Sequence, residues 1–245
     1  MQVTVMSRKN ALKYFMHLTR EEKENIACIS ITGMEDEPVS KWHYPKTTLF
    51  LTFDDVDRAD GNEIPIGEYE ANKIAFFVKA IAQDDSAKQL IVHCEAGMSR
   101  SAGVAAAIMK YLFGTDEAIF GIPSYRPNML CYRRTLEALM DNATDLLTED
   151  EARKVLTASA EKHAIKNFKI NKMEFNSISP AEFQMTVFEC SYVWNLNGWD
   201  KNVTQWFAVY KFSDGSSMVD LYGMTMMETI SKDETEVIIH GDGNQ

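Results

Sequence analysis

The segment HCEAGMSRS, residues 93–101, places a thiol and a guanidinium in one short stretch of the chain. Cys94 follows an apolar run, and Arg100 comes where a helix rich in small residues is predicted to begin. Backbone N–H groups and a nearby guanidinium stabilise a thiolate, so a thiol in this position ionises more easily. A planar guanidinium can also bind two oxygens of a tetrahedral phosphate. The pattern therefore predicts attack by a thiolate on a phosphate monoester.

The other residues of the segment suit the same chemistry. The amides of loop 95–99 are expected to form an anion cradle at the start of the following helix. Gly97 allows the backbone to turn and to approach the anion where a Cβ would intrude. Ser101 can donate a hydrogen bond to the sulfur when it becomes a leaving group, and His93 is expected to support the Cys94 backbone rather than act as a base. The predicted substrate-binding residues are Glu95, Ala96, Gly97, Met98, Ser99 and Arg100.

Strand and helix patterns alternate on both sides of this loop, up to about residue 147. The runs VTVM, ACISI, TTLFLTF and QLIV are typical of strands. QLIV is wholly apolar, as expected for a strand buried on both faces of a parallel sheet. Helices are predicted over RKNALKYFMHL and over the ranges 69–82, 101–113 and 128–140. The sequence thus predicts an α/β fold, with a central, mostly parallel sheet flanked by helices.

The pattern changes after residue 147. Thr148 and Glu151 form a capping box that is predicted to begin a helix ending near Lys162. From about residue 166 onward, long stretches alternate between polar and apolar residues, which is typical of antiparallel strands. We therefore predict two parts, residues 1–147 as an α/β domain and residues 148–245 as a helix plus β-meander region of unknown role.

Turn signals separate the alternating stretches of this second part. Asn197-Gly198 lies between two of them, and Asp214-Gly215 is placed as a tight two-residue hairpin turn. The last residues, 240–245, are predicted to fray.

Net charge and hydropathy limit the classes of partner. The 245 residues carry a net charge of −11, which disfavours nucleic-acid and anionic membrane surfaces because both need clustered Lys and Arg. No apolar run approaches the roughly 18 residues needed to span a bilayer. The first residues also lack the pattern of a secretion signal. We expect neither a nucleic-acid partner nor a membrane partner, and the sequence indicates no oligomeric state.

The four cysteines are scattered along the chain without paired spacing. A disulfide framework is therefore not expected, and a reducing, cytoplasmic compartment is predicted. Cys28, Cys131 and Cys190 lie in apolar or helical contexts and are predicted to be packing residues. The histidines outside the segment have no ligand spacing, so neither a metal nor a cofactor is predicted.

The segment His93–Ser101 resembles the signature of the cysteine-dependent protein phosphatases, which is His-Cys, five residues, Arg, and Ser or Thr. Its Ala-Gly-x-Ser-Arg-Ser ending is most similar to the dual-specificity branch. The stretch PSYRPNMLCYRRTLEAL, residues 123–139, also resembles the last helix region of that family. The resemblance covers roughly residues 26–140. It implies that residues 1–147 form a cysteine phosphatase domain that works through a phosphocysteine intermediate.

That chemistry also needs a general acid for the leaving alcohol. The family supplies an aspartate on an upstream loop, and in the dual-specificity pattern this residue follows a strand of the form Ile-x-Ile-x-Asp. Leu51-x-Phe53-x-Asp55 matches the pattern. The resemblance therefore implies Asp55 as the acid, with Asp57 and then Asp54 as alternatives.

The loop residues also narrow the substrate class. Members of the superfamily that act on inositol phosphates or phosphoinositides tend to carry lysines in this loop, whereas here Glu95 follows the nucleophile. An acidic residue at that place, with the net charge of the chain, would repel a polyanion. The favoured prediction is a phosphorylated protein or peptide, with phosphotyrosine first and phosphoserine or phosphothreonine left open. Two alternatives remain, a phosphate ester on an RNA 5′ end or an inositol, and a non-catalytic module that binds phosphoresidues.

Overall fold

The computed structural model describes residues 1–36, 40–58, 61–84, 87–196 and 199–229. The chain divides into two compact units. The N-terminal unit contains Met1–Asp145 together with the short segments Pro180–Glu182 and Ser213–Gly215. The C-terminal unit contains the rest of the described chain, beginning at Leu146.

A parallel sheet forms the centre of the N-terminal unit. Its strands are β1 (Gln2–Ser7), β2 (Ile26–Thr32), β3 (Thr47–Thr52) and β4 (Gln89–Cys94). They lie in the order β1-β4-β2-β3, and every neighbouring pair is parallel. β4 lies between β1 and β2, and its apolar run is buried as the sequence predicts. The carboxyl ends of parallel strands share one edge of a sheet, which is where α/β proteins bind ligands.

Helices cover this sheet. They are α1 (Arg8–His17), α2 (Arg20–Glu24), α3 (Glu68–Asp84), α4 (Arg100–Phe113), α5 (Glu117–Phe120) and α6 (Met129–Met140), with short 3-10 turns at Lys41–His43 and Asn142–Thr144. The apolar face predicted for α3 is buried in the main core. The short helices α2 and α5 were not predicted, because five and four residues are too few to show an apolar period.

The helix that follows the signature loop is buried for most of its length, from Arg100 to Ile108. Its small residues allow α6 to pack closely against it. A Cβ at Gly103 would lie 3.1 Å from the Cβ of Cys131 and nearer still to the carbonyl oxygen of Asn128. Glycine at this position therefore permits the close approach of α4 and α6.

The described part of the C-terminal unit consists of one helix and an antiparallel sheet. Its elements are α7 (Glu149–Lys162), β5 (Lys166–Ser179), β6 (Phe183–Leu196), β7 (Trp199–Phe212) and β8 (Ser217–Thr229), and the strand order is β5-β6-β7-β8. The capping box at Thr148 and Glu151 is present. Ala152 and Leu156 of α7 share a buried cluster with Phe188 and Phe207 of the sheet.

The fold class predicted from the sequence is confirmed for both parts, a parallel sheet flanked by helices and an antiparallel β region. The predicted two-residue turn at Asp214-Gly215 is wrong. β7 ends at Phe212 and β8 begins at Ser217, so four residues connect them, with Gly215 at φ +91°. A glycine in the left-handed region suits this longer loop as well as a tight turn, so the dipeptide alone did not fix the length. Asn197-Gly198 and residues 240–245 lie outside the described ranges.

Candidate active site

The signature loop begins where the central strand ends. Cys94 is the last residue of β4 and pairs in register with Ser7 of β1. The loop then runs through residues 95–99, and α4 begins at Arg100. The predicted order of strand, loop and helix is therefore present, and the loop lies at the carboxyl edge of the sheet.

Several donors converge on the Cys94 sulfur. Its Sγ lies 3.1 Å from Oγ of Ser101, and the backbone N–H groups of Ser101 and Gly97 hydrogen-bond to it. Burial raises the pKa of the Cys94 thiol, but these hydrogen bonds and the charge of Arg100 outweigh burial and bring the pKa below its usual value. The residue is 2% exposed. The structure thus brings the predicted nucleophile together with groups that favour its thiolate form.

The Arg100 side chain is held inside the protein by a backbone carbonyl. Its Nη1 donates a 2.9 Å hydrogen bond to the oxygen of Phe53, and the residue is 7% exposed. Its Nε is buried and has no hydrogen-bond partner among the described residues. A cation at the N-terminus of a helix is unfavourable unless an anion lies beside it. The buried guanidinium, with an N–H group left over, is therefore suited to an anionic ligand.

Gly97 has a backbone conformation that suits the predicted turn, and it also makes a contact that was not predicted. Its φ is +72°, which few other residues adopt. A Cβ at this position would collide with the backbone of Met6 and Ser7, lying 2.6 Å from the carbonyl oxygen of Met6. Glycine is thus required because the loop packs against the end of β1, a contact that the sequence did not show.

Of the three candidate acids, Asp55 is the one bonded to the signature loop. Its Oδ1 accepts hydrogen bonds from Oγ of Ser99 at 2.7 Å and from Nδ2 of Asn128 at 3.0 Å. Asp57 is exposed. The structure therefore places the first-choice acid beside the loop that carries the nucleophile.

Asp54 has a different position. Its two carboxylate oxygens accept hydrogen bonds from the backbone N–H groups of Ile64 and Met34, at 2.8 and 2.9 Å. These hydrogen bonds hold the pKa of the Asp54 carboxyl below its usual value. A carboxylate held in this way stabilises the surrounding loops and is a poor proton donor.

Asn128 is a site residue that sequence reasoning missed. Its Nδ2 bonds Asp55, its backbone N–H donates to the oxygen of Ser99 at 3.2 Å, and its Oδ1 caps α6 through the N–H of Cys131 at 2.9 Å. The neighbouring Arg126 N–H donates to the oxygen of Met98 at 3.0 Å. The only signal in the sequence was an Asn after Pro before a helix, which indicates a cap and not a contact with the loop.

His93 is placed as a support. It is fully buried, and its Nε2 lies 3.1 Å from the hydroxyl of Tyr44. Burial, aided by the charge of Arg8, lowers the pKa of His93 to about 4, so the ring is neutral at pH 7. The ring of His93 also packs against the ring of Tyr44, and its supporting role behind Cys94 stays a prediction.

The remaining loop side chains change the expectation for the charge of Glu95. Glu95, Ala96 and Met98 are exposed. Glu95 is not a free charge, because its Oε2 lies 2.9 Å from Nε of Arg8. The expectation that Glu95 repels a polyanion is therefore weakened, since Arg8 compensates its charge.

The other three cysteines are buried away from solvent. Burial raises the pKa of the Cys28 and Cys131 thiols and raises the pKa of Cys190 to about 12. Cys94 is thus the one cysteine whose pKa is lowered. Within the described ranges, no group of three or more His, Cys, Asp or Glu side chains could hold a metal ion, and every helix is too short or too polar to cross a membrane.

Comparison with known proteins gives structural neighbours only. No family model matches the chain, and no curated protein matches it. The human tyrosine phosphatase-like serine/threonine/tyrosine-interacting protein is similar at 19% identity and a TM-score of 0.40, over 55% of this chain and 89% of that one. PTPMT1 in complex with PI(5)P is similar at 20% identity and a TM-score of 0.39, over 65% of this chain and 94% of that one. Human DUSP28 is similar at 15% identity and a TM-score of 0.37, over 64% of this chain and 94% of that one.

Proposed function

We propose that this protein is a protein phosphatase that hydrolyses phosphotyrosine, with phosphoserine and phosphothreonine as further substrates, through a phosphocysteine intermediate. The observation that carries the proposal is the convergence of the Ser101 hydroxyl, two backbone N–H groups and the Arg100 guanidinium around the low-pKa sulfur of Cys94. A thiolate that lies among anion-binding N–H groups is placed to attack the phosphorus atom of a bound phosphate group.

The proposed reaction has two displacements. In the first, the Cys94 thiolate attacks phosphorus, the S–P bond forms, and the P–O bond to the substrate breaks while Asp55 gives its proton to the leaving oxygen. In the second, water attacks phosphorus, Asp55 takes the proton from that water, and the S–P bond breaks. Ser101, 3.1 Å from the sulfur, donates to the thiolate as it leaves. Inorganic phosphate and the original thiolate result.

Arg100 has the binding role in both steps. Its carbonyl contact with Phe53 fixes the plane of the guanidinium, so the unpaired Nε–H can face the transferred group. A donor set in place before the reaction stabilises charge that develops on the phosphoryl oxygens without reorganising.

A protein substrate is favoured by the composition of the loop. No lysine lies among residues 95–99, so the site has one buried cation for one phosphate. A second candidate class, phosphate esters of inositol or RNA ends, gains support from the Arg8–Glu95 ion pair, which removes a repulsive charge from the loop. We further propose a cytoplasmic location, because the reaction needs Cys94 in its reduced form.

We also propose that residues 1–147 form the catalytic domain and that residues 148–245 have a separate role. The compact units, which divide at Leu146, support this division. All residues proposed for the reaction lie before residue 147.

The test is hydrolysis by the full chain in the presence of a metal chelator. We expect turnover of para-nitrophenyl phosphate and of a tyrosine-phosphorylated peptide, with a phosphocysteine trapped by rapid acid quench. Because the hydrogen bonds and the charge of Arg100 lower the pKa of Cys94, the rate should reach its thiolate-limited plateau at a lower pH than an ordinary thiol would allow. Binding of phosphopeptides without phosphocysteine would instead indicate a binding module, and a higher kcat/KM on inositol phosphates at matched ionic strength would indicate the second class.

The general acid is tested by a change at Asp55. Asp55→Asn keeps an oxygen that can accept from Ser99 and Asn128 but removes the acidic proton. We expect kcat to fall about 100-fold for a phosphotyrosine peptide and far less for esters with activated leaving groups. The matched control is Asp57→Asn, which should leave both rates within about twofold. The assignment is wrong if Asp57→Asn shows the leaving-group dependence and Asp55→Asn does not.

A further inference from the structure

Arg8 lies behind the signature loop and contacts it from another part of the chain. It is the first residue of α1, directly after β1, and β1 pairs with β4 up to Ser7 and Cys94. Its backbone N–H donates to the oxygen of Glu95 at 3.2 Å. A cation in the first turn of a helix opposes the helix dipole, so its location needs another explanation.

Two carboxylates supply that explanation. Nε of Arg8 lies 2.9 Å from Oε2 of Glu95, and Nη2 lies 3.1 Å from Oδ2 of Asp36. The Arg8 side chain is 15% exposed, whereas that of Glu95 is 56% exposed. The cation thus lies, partly buried, between the signature loop and the loop that follows β2.

The loop that follows β2 also borders the phosphate site. Asp36 accepts a hydrogen bond from the N–H of Gly33, and a Cβ built at Gly33 would lie 3.4 Å from Nη1 of Arg100. Both carboxylates that pair with Arg8 are therefore on loops that touch the anion cradle. Without Arg8, two negative charges would stand beside the place where a phosphate dianion must enter.

We propose that Arg8 determines phosphate affinity by offsetting the negative charge of Glu95 and Asp36, so that a dianion can enter the cradle. The inference rests on the proposed function in one respect only, that the loop binds a phosphate. Arg8 does not touch the reacting atoms, so its effect should appear in binding and KM while kcat changes little. Because Coulomb interactions between partly exposed charges weaken with salt, the effect should also shrink as ionic strength rises.

The experiment titrates the full chain with inorganic phosphate and follows backbone amide shifts by NMR. For Arg8→Gln, we expect the dissociation constant of phosphate to rise about tenfold at low salt, and the difference to narrow at high salt. Adding Glu95→Gln and Asp36→Asn to this variant should restore the constant to within about twofold of the original. A purely structural role for Arg8 would not be rescued by removing its partners.

A control and a second variant keep the test decisive. Arg20→Gln makes the same change in net charge at a residue whose side chain is 96% exposed, in α2, which leads into the opposite end of β2. It should leave phosphate affinity unchanged. If Arg8→Gln does not fold, Glu95→Gln alone should strengthen binding several-fold, since Arg8 and Asp36 then cancel and no net negative charge is left in the cluster.

The proposal is overturned if Arg8→Gln binds phosphate as the original chain does, if the triple variant binds as weakly as Arg8→Gln, or if Glu95→Gln weakens binding. These outcomes are separate from the fate of the proposed function, because phosphate binding is measured without turnover. A chain that binds phosphate with the expected Arg8 dependence yet hydrolyses no ester would reject the enzyme and keep this inference.

Discussion

Cys94→Ser is expected to lower kcat for phosphate esters by on the order of 10⁴-fold or more, to the background of the assay. A serine hydroxyl is a weak nucleophile at neutral pH, and the donors that lower the pKa of the Cys94 thiol cannot ionise an alcohol to a useful degree. The hydroxyl is similar in size and can keep the contact with Ser101. Binding of inorganic phosphate should therefore persist while turnover is lost.

The matched control for this change is another buried cysteine. Cys190→Ser replaces a thiol whose sulfur lies 3.9 Å from the oxygen of Phe188, so a hydroxyl can find the same partner. We expect its kcat to stay within about twofold of the original. Retained turnover in Cys94→Ser, with no phosphocysteine on rapid quench, would contradict the covalent mechanism.

Arg100→Lys is expected to have the second largest effect, a loss of on the order of 10²–10³-fold in kcat/KM although the charge is unchanged. Lysine offers a point charge on a flexible stem, whereas Arg100 uses one arm to bond the Phe53 carbonyl and leaves Nε–H for a ligand. The ammonium group of lysine cannot bond the Phe53 carbonyl and also hold an N–H group in a fixed plane for the ligand. Steady-state kinetics with para-nitrophenyl phosphate measures the loss.

The control for Arg100→Lys is Arg153, whose guanidinium pairs with a carboxylate on the same helix. Nε and Nη2 of Arg153 donate to Oε1 of Glu149, at 2.9 and 2.7 Å, in the C-terminal unit. Arg153→Lys should leave kcat/KM unchanged, since exposed ion pairs contribute little. Near-normal rates in Arg100→Lys would show that binding of the phosphate oxygens does not depend on the planar guanidinium.

The sequence could locate the nucleophile because that part of the site is local. Cys94, the loop and the start of α4 are consecutive, and an apolar run followed by small residues predicts a strand, a loop and a helix. Asp55 was implied by the family resemblance, whose strand-then-aspartate pattern is also local in sequence, and parallel strands end at one edge of the sheet.

The supporting residues could not be predicted because their contacts join distant segments. Arg8 meets Glu95 only because β1 is the neighbour of β4, an order that no local pattern shows. Asn128 meets Asp55 only because Gly103 lets α6 pack closely on α4. The close approach of Gly97 to the backbone of Met6 was not predicted for the same reason, because it joins the signature loop to the end of β1.

The proposed cradle for phosphate is assembled from supports that are far apart in sequence, at Met6–Arg8, Phe53 and Arg126–Asn128. It can therefore exist only when the N-terminal unit is folded, and the unfolded chain has no equivalent site. A ligand that binds only the native state raises the free energy of unfolding by RT ln(1 + [L]/Kd). Phosphate should accordingly act as a thermal stabiliser of the N-terminal unit, including helices that never come near it.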